Sequence, residues 1–167
     1  MSTTPTDVRY DQAAIEADPD VPMIHIHRDF AATPAQLFAA HTDPDLISRW
    51  IGPAGSTSEV LVWEPTDNGR WRYSVTDRNG VAQFFRGSFH TVSPTKIVQT
   101  FTWEGMPDGV ALETVTFEDL GDGRTRLHAR SLCDTFEDRD AWLRSGMEAG
   151  VNDGYAALDT LLADGAL

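Results

Sequence analysis

The chain has 167 residues, of which 41% are hydrophobic and 23% are charged, and this composition indicates one globular domain with a buried core. The net charge of −13 argues against nucleic acid or an anionic membrane surface as a partner. Cys133 is the only cysteine, which excludes an intrachain disulfide and a four-cysteine metal site, so we interpret it as a core residue. No stretch is typical of a signal peptide or a membrane-spanning helix. The sequence therefore predicts a cytoplasmic protein, as a monomer or a small oligomer such as a homodimer.

The N-terminal segment differs in composition from the rest of the chain. Residues 1–20 carry five acidic side chains and a single arginine. We interpret them as a mobile acidic arm with room for a short helical turn at residues 11–17. Residues 21–167 are predicted to form a single domain.

One strand and two short helices are predicted after the arm. Apolar and polar side chains alternate over Val21–Phe30, which is typical of a half-buried strand. The Thr-Pro pair at 33–34 has the pattern of an N-cap followed by proline at the first helical position, and this helix is expected to end near Thr42. A second short helix follows from the next Asp-Pro pair to Trp50, where a Gly-Pro pair stops it.

The middle of the chain predicts about six further strands, which are joined by turn residues such as the Asp-Asn-Gly at 67–69. Because the turns are short, neighbouring strands are expected to pair in an antiparallel sheet. The predicted strands are Thr57–Glu64, Arg70–Asp77, Ala82–Val92, Lys96–Trp103, Ala111–Leu120 and Arg124–Cys133.

The longest helical pattern, Phe136–Leu162, closes the chain. Its apolar residues recur at steps of three and four from Leu143 onward and share one face of a helix. The predicted order is a strand, two short helices, about six strands and a long helix. Such a chain is α+β, with a curved antiparallel sheet of six to seven strands wrapped around the C-terminal helix. The short helices would close one end, which predicts a cavity between sheet and helix.

Three glycines, Gly146, Gly150 and Gly154, form a stripe along this helix at steps of four. Each glycine in a helix interior costs about 1 kcal/mol relative to alanine, so the stripe needs a reason. Close packing of the helix against the sheet is one interpretation, and space for a bound molecule is the other. Both interpretations stay open at the level of sequence.

Several short motifs, taken in order, resemble the SRPBCC superfamily, and most closely the bacterial proteins similar to the C-terminal domain of the activator of heat-shock protein 90 ATPase. The resemblance covers roughly residues 22–163 and implies the helix-grip fold of START-like domains. It also implies a cavity for apolar ligands, with a few members acting as cyclases or hydrolases. The motifs that carry it are Arg28-Asp-Phe-Ala-Ala-Thr-Pro34, Phe38, Asp43-Pro44, Arg49-Trp-Ile-Gly-Pro53, Gly69-Arg-Trp-Arg-Tyr73, Phe85-Arg-Gly87, Val92-Ser-Pro94, Lys96-Ile-Val98, Gly123-Arg-Thr125 and Ser145-Gly-Met-Glu-Ala-Gly150.

Large rings are more numerous than a plain two-layer core needs, and aromatic walls with a few polar groups are typical of small-molecule pockets. Part of this set is expected to serve only as core packing. The predicted cavity residues are Trp50, Trp63, Trp71, Tyr73, Phe85, Phe89, Phe101, Met147, Val151 and Tyr155.

The sequence names no catalytic residue, metal site or cofactor. The pair His25 and His27 has a spacing that can present two imidazoles to a metal, but no third ligand accompanies it, so we interpret it as a solvated strand face. Glu59, Glu113 and Arg86 lie on strands where phase alone does not decide between inside and outside. The leading hypothesis is binding of a small apolar ligand that is aromatic, polyketide-like or lipid-like. A cyclase, aromatase or hydrolase using the same cavity is the alternative, and a stress-related chaperone cofactor is the second alternative.

Overall fold

The structure, a computed structural model, describes residues 12–167. Within this range the chain forms one antiparallel sheet and four helices. The strands are β1 (Ala14–Ala17), β2 (Met23–Phe30), β3 (Thr57–Trp63), β4 (Arg70–Thr76), β5 (Ala82–Ser93), β6 (Lys96–Trp103), β7 (Ala111–Gly121) and β8 (Arg124–Leu132). The helices are α1 (Pro34–Thr42), α2 (Pro44–Trp50), α3 (Phe136–Arg144) and α4 (Met147–Ala163).

The sheet has the strand order β1-β2-β8-β7-β6-β5-β4-β3, so the strands from β3 to β8 are joined as successive hairpins. Irregular registers interrupt three of these pairings, in β3, β5 and β7, and such bulges bend a strand and increase its twist. The core joins residues of the curved sheet to Tyr155 and Leu158 of α4, and Leu158 is fully buried. The predicted α+β helix-grip architecture is confirmed, with one strand more than the upper limit of seven.

The additional strand is β1, which lies where the sequence predicted a helical turn within a mobile arm. β1 pairs with β2 from Ala14 opposite His27 to Ala17 opposite Ile24. Just before it, the buried Ala13 donates its backbone N–H to Asn152 Oδ1 at 2.9 Å. The unpaired edge of β2 offers backbone partners that outweigh the weak local helix preference of so short a segment. Residues 1–11 lie outside the described part of the chain, so for them the arm remains a prediction.

The predicted continuous helix Phe136–Leu162 is wrong, because Ser145 and Gly146 separate α3 from α4. Gly146 has φ of 87°, a left-handed conformation that ends a helix and that glycine adopts at no steric cost. The apolar pattern continues across the break since Leu143 and Met147 both pack against the core. Among residues 12–167, no helix is long and apolar enough to cross a membrane.

The other two glycines of the stripe have different surroundings. A Cβ atom on Gly154 would lie 3.0 Å from the carbonyl oxygen of Trp50, so this glycine permits close approach of α4 to the end of α2. A Cβ atom on Gly150 would find its nearest neighbour, Pro53 Cγ, at 3.9 Å. Close packing therefore explains Gly154, and open space surrounds Gly150.

Matched alanine substitutions at these two glycines should change stability in opposite directions. Gly150→Ala should raise the free energy of unfolding by about 0.5–1 kcal/mol, because alanine restricts the unfolded chain and favours helix. Gly154→Ala should lower it by about 1 kcal/mol, because overpacking against the Trp50 carbonyl exceeds that helix gain. Urea denaturation of both variants measures the difference, and equal gains would contradict the close contact at Gly154.

An ion pair between a buried arginine and a partly exposed aspartate joins β2 to α4. Arg28 shares the inner face of β2 with Ile26 and Phe30 and is only 1% exposed. Its Nη1 and Nη2 atoms donate to Asp159 Oδ1 and Oδ2 at 2.7 and 2.5 Å. The two parallel hydrogen bonds fix the position of the second half of α4 relative to the sheet.

Candidate ligand-binding cavity

A cavity of about 330 Å³ lies between the curved sheet, the end of α2 and α4. The sheet supplies its walls, and one face of α4 forms its roof. Nine of the ten predicted site residues line it, namely Trp50, Trp63, Trp71, Tyr73, Phe85, Phe101, Met147, Val151 and Tyr155.

The prediction is wrong for the tenth residue, Phe89, which does not line this cavity. It is 3% exposed and meets the Trp63 ring edge-on, with the ring centroids 5.6 Å apart. Phe89 has the same strand phase as Phe85 but lies four residues further along β5, where Trp63 occupies the space in front of it. The phase of a strand thus decides the face of the sheet, whereas the position along the strand decides whether a side chain reaches the cavity.

Four neighbouring rings form a continuous wall along the sheet side of the cavity. The Trp71 and Tyr73 centroids are 5.3 Å apart, and Phe85 lies 5.4 Å from Tyr73 and 5.4 Å from Phe101. Gly87 pairs with Trp71 across the sheet, and a Cβ there would lie 2.0 Å from the Thr100 carbonyl oxygen and 2.6 Å from the indole. Glycine at this position therefore leaves room both for the backbone of β6 and for the indole.

Two indole groups hold the helical end of the cavity in place. The Trp50 Nε1–H donates to the Ala40 carbonyl at 3.0 Å, and the Trp63 Nε1–H donates to the Thr42 carbonyl at 2.7 Å. Both acceptors lie in the last turn of α1, where carbonyl groups have no partner within the helix. These bonds fix the two rings while their apolar faces remain directed to the cavity.

The cavity also contains a carboxyl group at the centre of a hydrogen-bonded set on three adjacent strands. Gln99 Nε2 donates to Glu113 Oε1 at 3.0 Å, and Ser131 Oγ donates to Glu113 Oε2 at 2.9 Å. Burial raises the pKa of Glu113, and the two hydrogen bonds oppose that rise. The two other residues whose direction was undecided, Glu59 and Arg86, are exposed. Sequence reasoning missed Gln99 and Ser131, because only the strand register places them opposite Glu113.

His41 of α1 is a second polar group in the lining that the sequence did not single out. Its ring lies edge-on to Trp50 and Phe117, with centroid distances of 4.9 and 5.2 Å. Burial lowers the pKa of His41 to about 4, and its Nδ1 lies 2.7 Å from the Leu37 carbonyl oxygen, which opposes that shift. The imidazole is therefore neutral at physiological pH and donates its Nδ1–H to Leu37.

The amino-acid sequence matches a known protein family over most of its length. The family described as "Activator of Hsp90 ATPase homolog 1-like protein" matches residues 31–163. The chain belongs to this family. The resemblance predicted from the sequence motifs is thereby confirmed.

Solved structures of other bacterial proteins resemble this chain over nearly their whole length. A protein from Rhodobacter sphaeroides is 29% identical, with a TM-score of 0.83 over 92% of this chain and 99% of that chain. A protein from Arthrobacter aurescens is 25% identical, with a TM-score of 0.82 over 90% and 91% of the two chains. The AHSA1 protein from Silicibacter pomeroyi, at 22% identity and a TM-score of 0.70 over 84% and 97%, shows the fold alone. No curated protein matches the chain significantly.

Two further spaces adjoin the cavity in this family member. A smaller cavity of about 200 Å³ shares Glu113, Ser131 and Phe101 with the first and extends toward Cys133 and Trp142. An open groove of about 570 Å³ lies between the loop after α2, the β4–β5 turn and the break between α3 and α4. The groove and the main cavity have five lining residues in common, namely Ile51, Gly52, Phe85, Met147 and Gly150, so the groove is the natural entrance.

The two histidines of β2 lie on the outer face of the sheet of this family member, as their phase predicted. His25 Nε2 lies 2.8 Å from Asp18 Oδ2, and His27 Nδ1 lies 2.7 Å from His128 Nδ1. Both imidazoles are therefore engaged by side chains. Among residues 12–167 no group of three or more His, Cys, Asp or Glu side chains has the arrangement of a metal site.

Proposed function

We propose that this protein binds a small, predominantly apolar molecule that contains rings, in the cavity between the sheet and α4. The aromatic wall of Trp71, Tyr73, Phe85 and Phe101 is the observation that carries this proposal. Ligand pockets are about 300–1,000 Å³, mainly apolar and equipped with a few convergent polar groups, and a volume of about 330 Å³ suits a compact ligand. At about 30 Å³ of liquid volume per water, the space exceeds what a few ordered waters fill.

The entrance groove supports the same proposal. Pro53 borders the groove opposite Gly150, and the absence of a side chain on Gly150 leaves the passage to the main cavity open. Met147 and Val151, one turn apart on α4, line the main cavity on either side of this glycine. A ligand entering by this route would displace no backbone of the sheet. The helix break at Gly146 lies at the same entrance.

A thermal-shift screen of a library of apolar ring compounds, with native mass spectrometry of the hits, tests the proposal. We expect compounds with one or two fused rings to raise the Tm in proportion to their occupancy. Compounds of the same size without rings should raise the Tm less, because they make poorer contact with the aromatic wall. A library without any stabilising compound would contradict the proposed function.

Gly150→Leu should occupy ligand space where the groove meets the cavity, because Gly150 lines both, and should weaken binding of the hits roughly tenfold or more, about 1.4 kcal/mol. The leucine side chain would extend into the open space now bordered by Pro53, so the fold should keep its stability. The smaller Gly150→Ala substitution is the matched control and should bind the same hits nearly as well as the native chain. Calorimetric titration measures both, and unchanged binding by Gly150→Leu would place the ligand elsewhere.

An enzyme of the cyclase or hydrolase type is the second candidate, and it requires a titratable group directed into the cavity. Glu113 meets this requirement, because its carboxyl lines the cavity and burial raises its pKa above the ordinary value of a glutamate. Mass spectrometric analysis of screening hits after prolonged incubation tests this candidate. A product that disappears with Glu113→Gln would support it, and recovery of every hit unchanged would contradict it.

A further inference from the structure

Within residues 12–167, the cavity-lining carboxyl group of Glu113 has hydrogen-bond partners but no cationic one. Gln99 and Ser131 each donate one hydrogen bond, one to each carboxyl oxygen, which is the arrangement that satisfies a carboxylate. The serine hydroxyl can also accept, so the same partners suit the carboxyl in either protonation state. The three side chains thus hold a titratable carboxyl in an otherwise apolar space.

The basic residue that borders the cavity, Arg130, does not neutralise this charge. Ala129 and Ser131, its neighbours on β8, have the opposite phase and line the cavity, so the exposed Arg130 side chain lies on the outer face. The ion pairs formed within residues 12–167 do not include Glu113. His41 also lines the cavity but is neutral at physiological pH because burial lowers its pKa to about 4. A carboxylate here has no counter-charge among residues 12–167, so a cationic ligand group beside it would favour its charged form.

The position of Glu113 suits the head group of a ligand whose body lies on the aromatic wall. Glu113 and Ser131 border both the main cavity and the smaller one, and Phe101 forms part of the wall of each. A cation at the carboxylate would therefore lie beside an aromatic face, which adds a favourable cation–π term. The net charge of −13 favours the approach of cations over anions.

We propose that the natural ligand is an amphiphilic amine, with an apolar ring body on the aromatic wall and a protonated amino group on the carboxylate of Glu113. This assignment rests on the ligand-binding function proposed above and adds the chemical class of the head group. The raised pKa of Glu113 gives binding a pH dependence, because protonation of the carboxyl at low pH removes the charge that attracts the amine.

Four naphthalene derivatives that share one ring body test the head group by calorimetric titration at neutral pH. They are 1-naphthylmethylamine (a cation), 1-naphthylmethanol (a neutral donor), 1-ethylnaphthalene (apolar) and 1-naphthoic acid (an anion). We expect the amine to bind at least about tenfold more tightly than ethylnaphthalene, and the anion to bind most weakly. The preference for the amine should decrease as the pH is lowered.

Glu113→Gln keeps the size of the side chain and removes its charge. This variant should lose the preference for the amine over ethylnaphthalene. Even if this variant does not fold, the ranking of the four compounds on the native chain shows whether the cavity prefers a cationic head group. Binding of ethylnaphthalene without a preference for the amine would overturn the amine assignment and leave the ligand-binding function standing. An alcohol that binds as tightly as the amine would overturn the cationic head group, and no binding by any of the four would overturn both proposals.

Discussion

Replacing Asp159 with alanine should lower the free energy of unfolding by about 3 kcal/mol. The substitution leaves the guanidinium of Arg28 buried without its counter-charge, and breaking a buried pair in this way costs about 3–5 kcal/mol. The Arg28 side chain is only 2% exposed, so its charge would stay buried in the variant. The lower end of the range applies because the Asp159 side chain is 40% exposed, which lets water reach the edge of the vacated space. Urea denaturation followed by tryptophan fluorescence measures the change.

The companion substitution Arg28→Met distinguishes a buried charge from a lost contact. The remaining Asp159 carboxylate is partly exposed and can be hydrated, and methionine fills much of the space of the arginine stem. We therefore expect Arg28→Met to cost less than Asp159→Ala, and the double variant Arg28→Met/Asp159→Leu to recover part of the loss. A cost below about 1 kcal/mol for Asp159→Ala would mean that the pair behaves like an exposed ion pair.

The order and boundaries of the strands could be predicted because their signals are local. Alternating side chains and short turns define β6 at Lys96–Trp103, and the structure gives the same bounds. The break at Gly146 could not be predicted from apolar spacing, because Leu143 and Met147 keep a helical step across it. Only the left-handed backbone of Gly146 separates the two helices, and a glycine in a helical pattern does not by itself reveal that conformation. β1 was missed because it depends on the free edge of β2, which is a property of the assembled sheet.

Some residues of the candidate site could likewise be predicted from local sequence patterns, whereas others depend on contacts between distant parts of the chain. Trp71 and Tyr73 could be placed in the cavity because alternation along β4 gives both residues one face. Glu113 could be placed there only with the register of three strands, which brings Gln99 and Ser131 to its two oxygens. Phase predicts which face of the sheet a side chain occupies, and register between strands decides which side chains act together. The stripe of glycines in the sequence likewise combined three unrelated causes: a helix break, an open entrance and a close helix contact.

His41 should make the protein lose about 3 kcal/mol of stability as the pH falls from 7 to 4. In the folded state burial lowers its pKa to about 4, whereas in the unfolded chain the pKa has its ordinary value of 6.5. Between these two values the unfolded state binds a proton that the folded state does not, so the free energy of unfolding decreases as pH falls. Each pH unit across this interval costs about 1.4 kcal/mol, and the contribution is constant above pH 6.5 and below pH 4.

The variant His41→Phe isolates this effect from the titration of the carboxyl groups. Phenylalanine can keep the edge-on contacts with Trp50 and Phe117, and the Leu37 carbonyl lies within α1, where a backbone N–H one turn later can serve it. Urea denaturation at intervals from pH 4 to pH 7 should give a shallower dependence for His41→Phe than for the native chain. The matched control His90→Gln changes an exposed histidine and should follow the native curve. Parallel curves for the native chain and His41→Phe would mean that His41 is hydrated through the cavity and takes up its proton in the folded state.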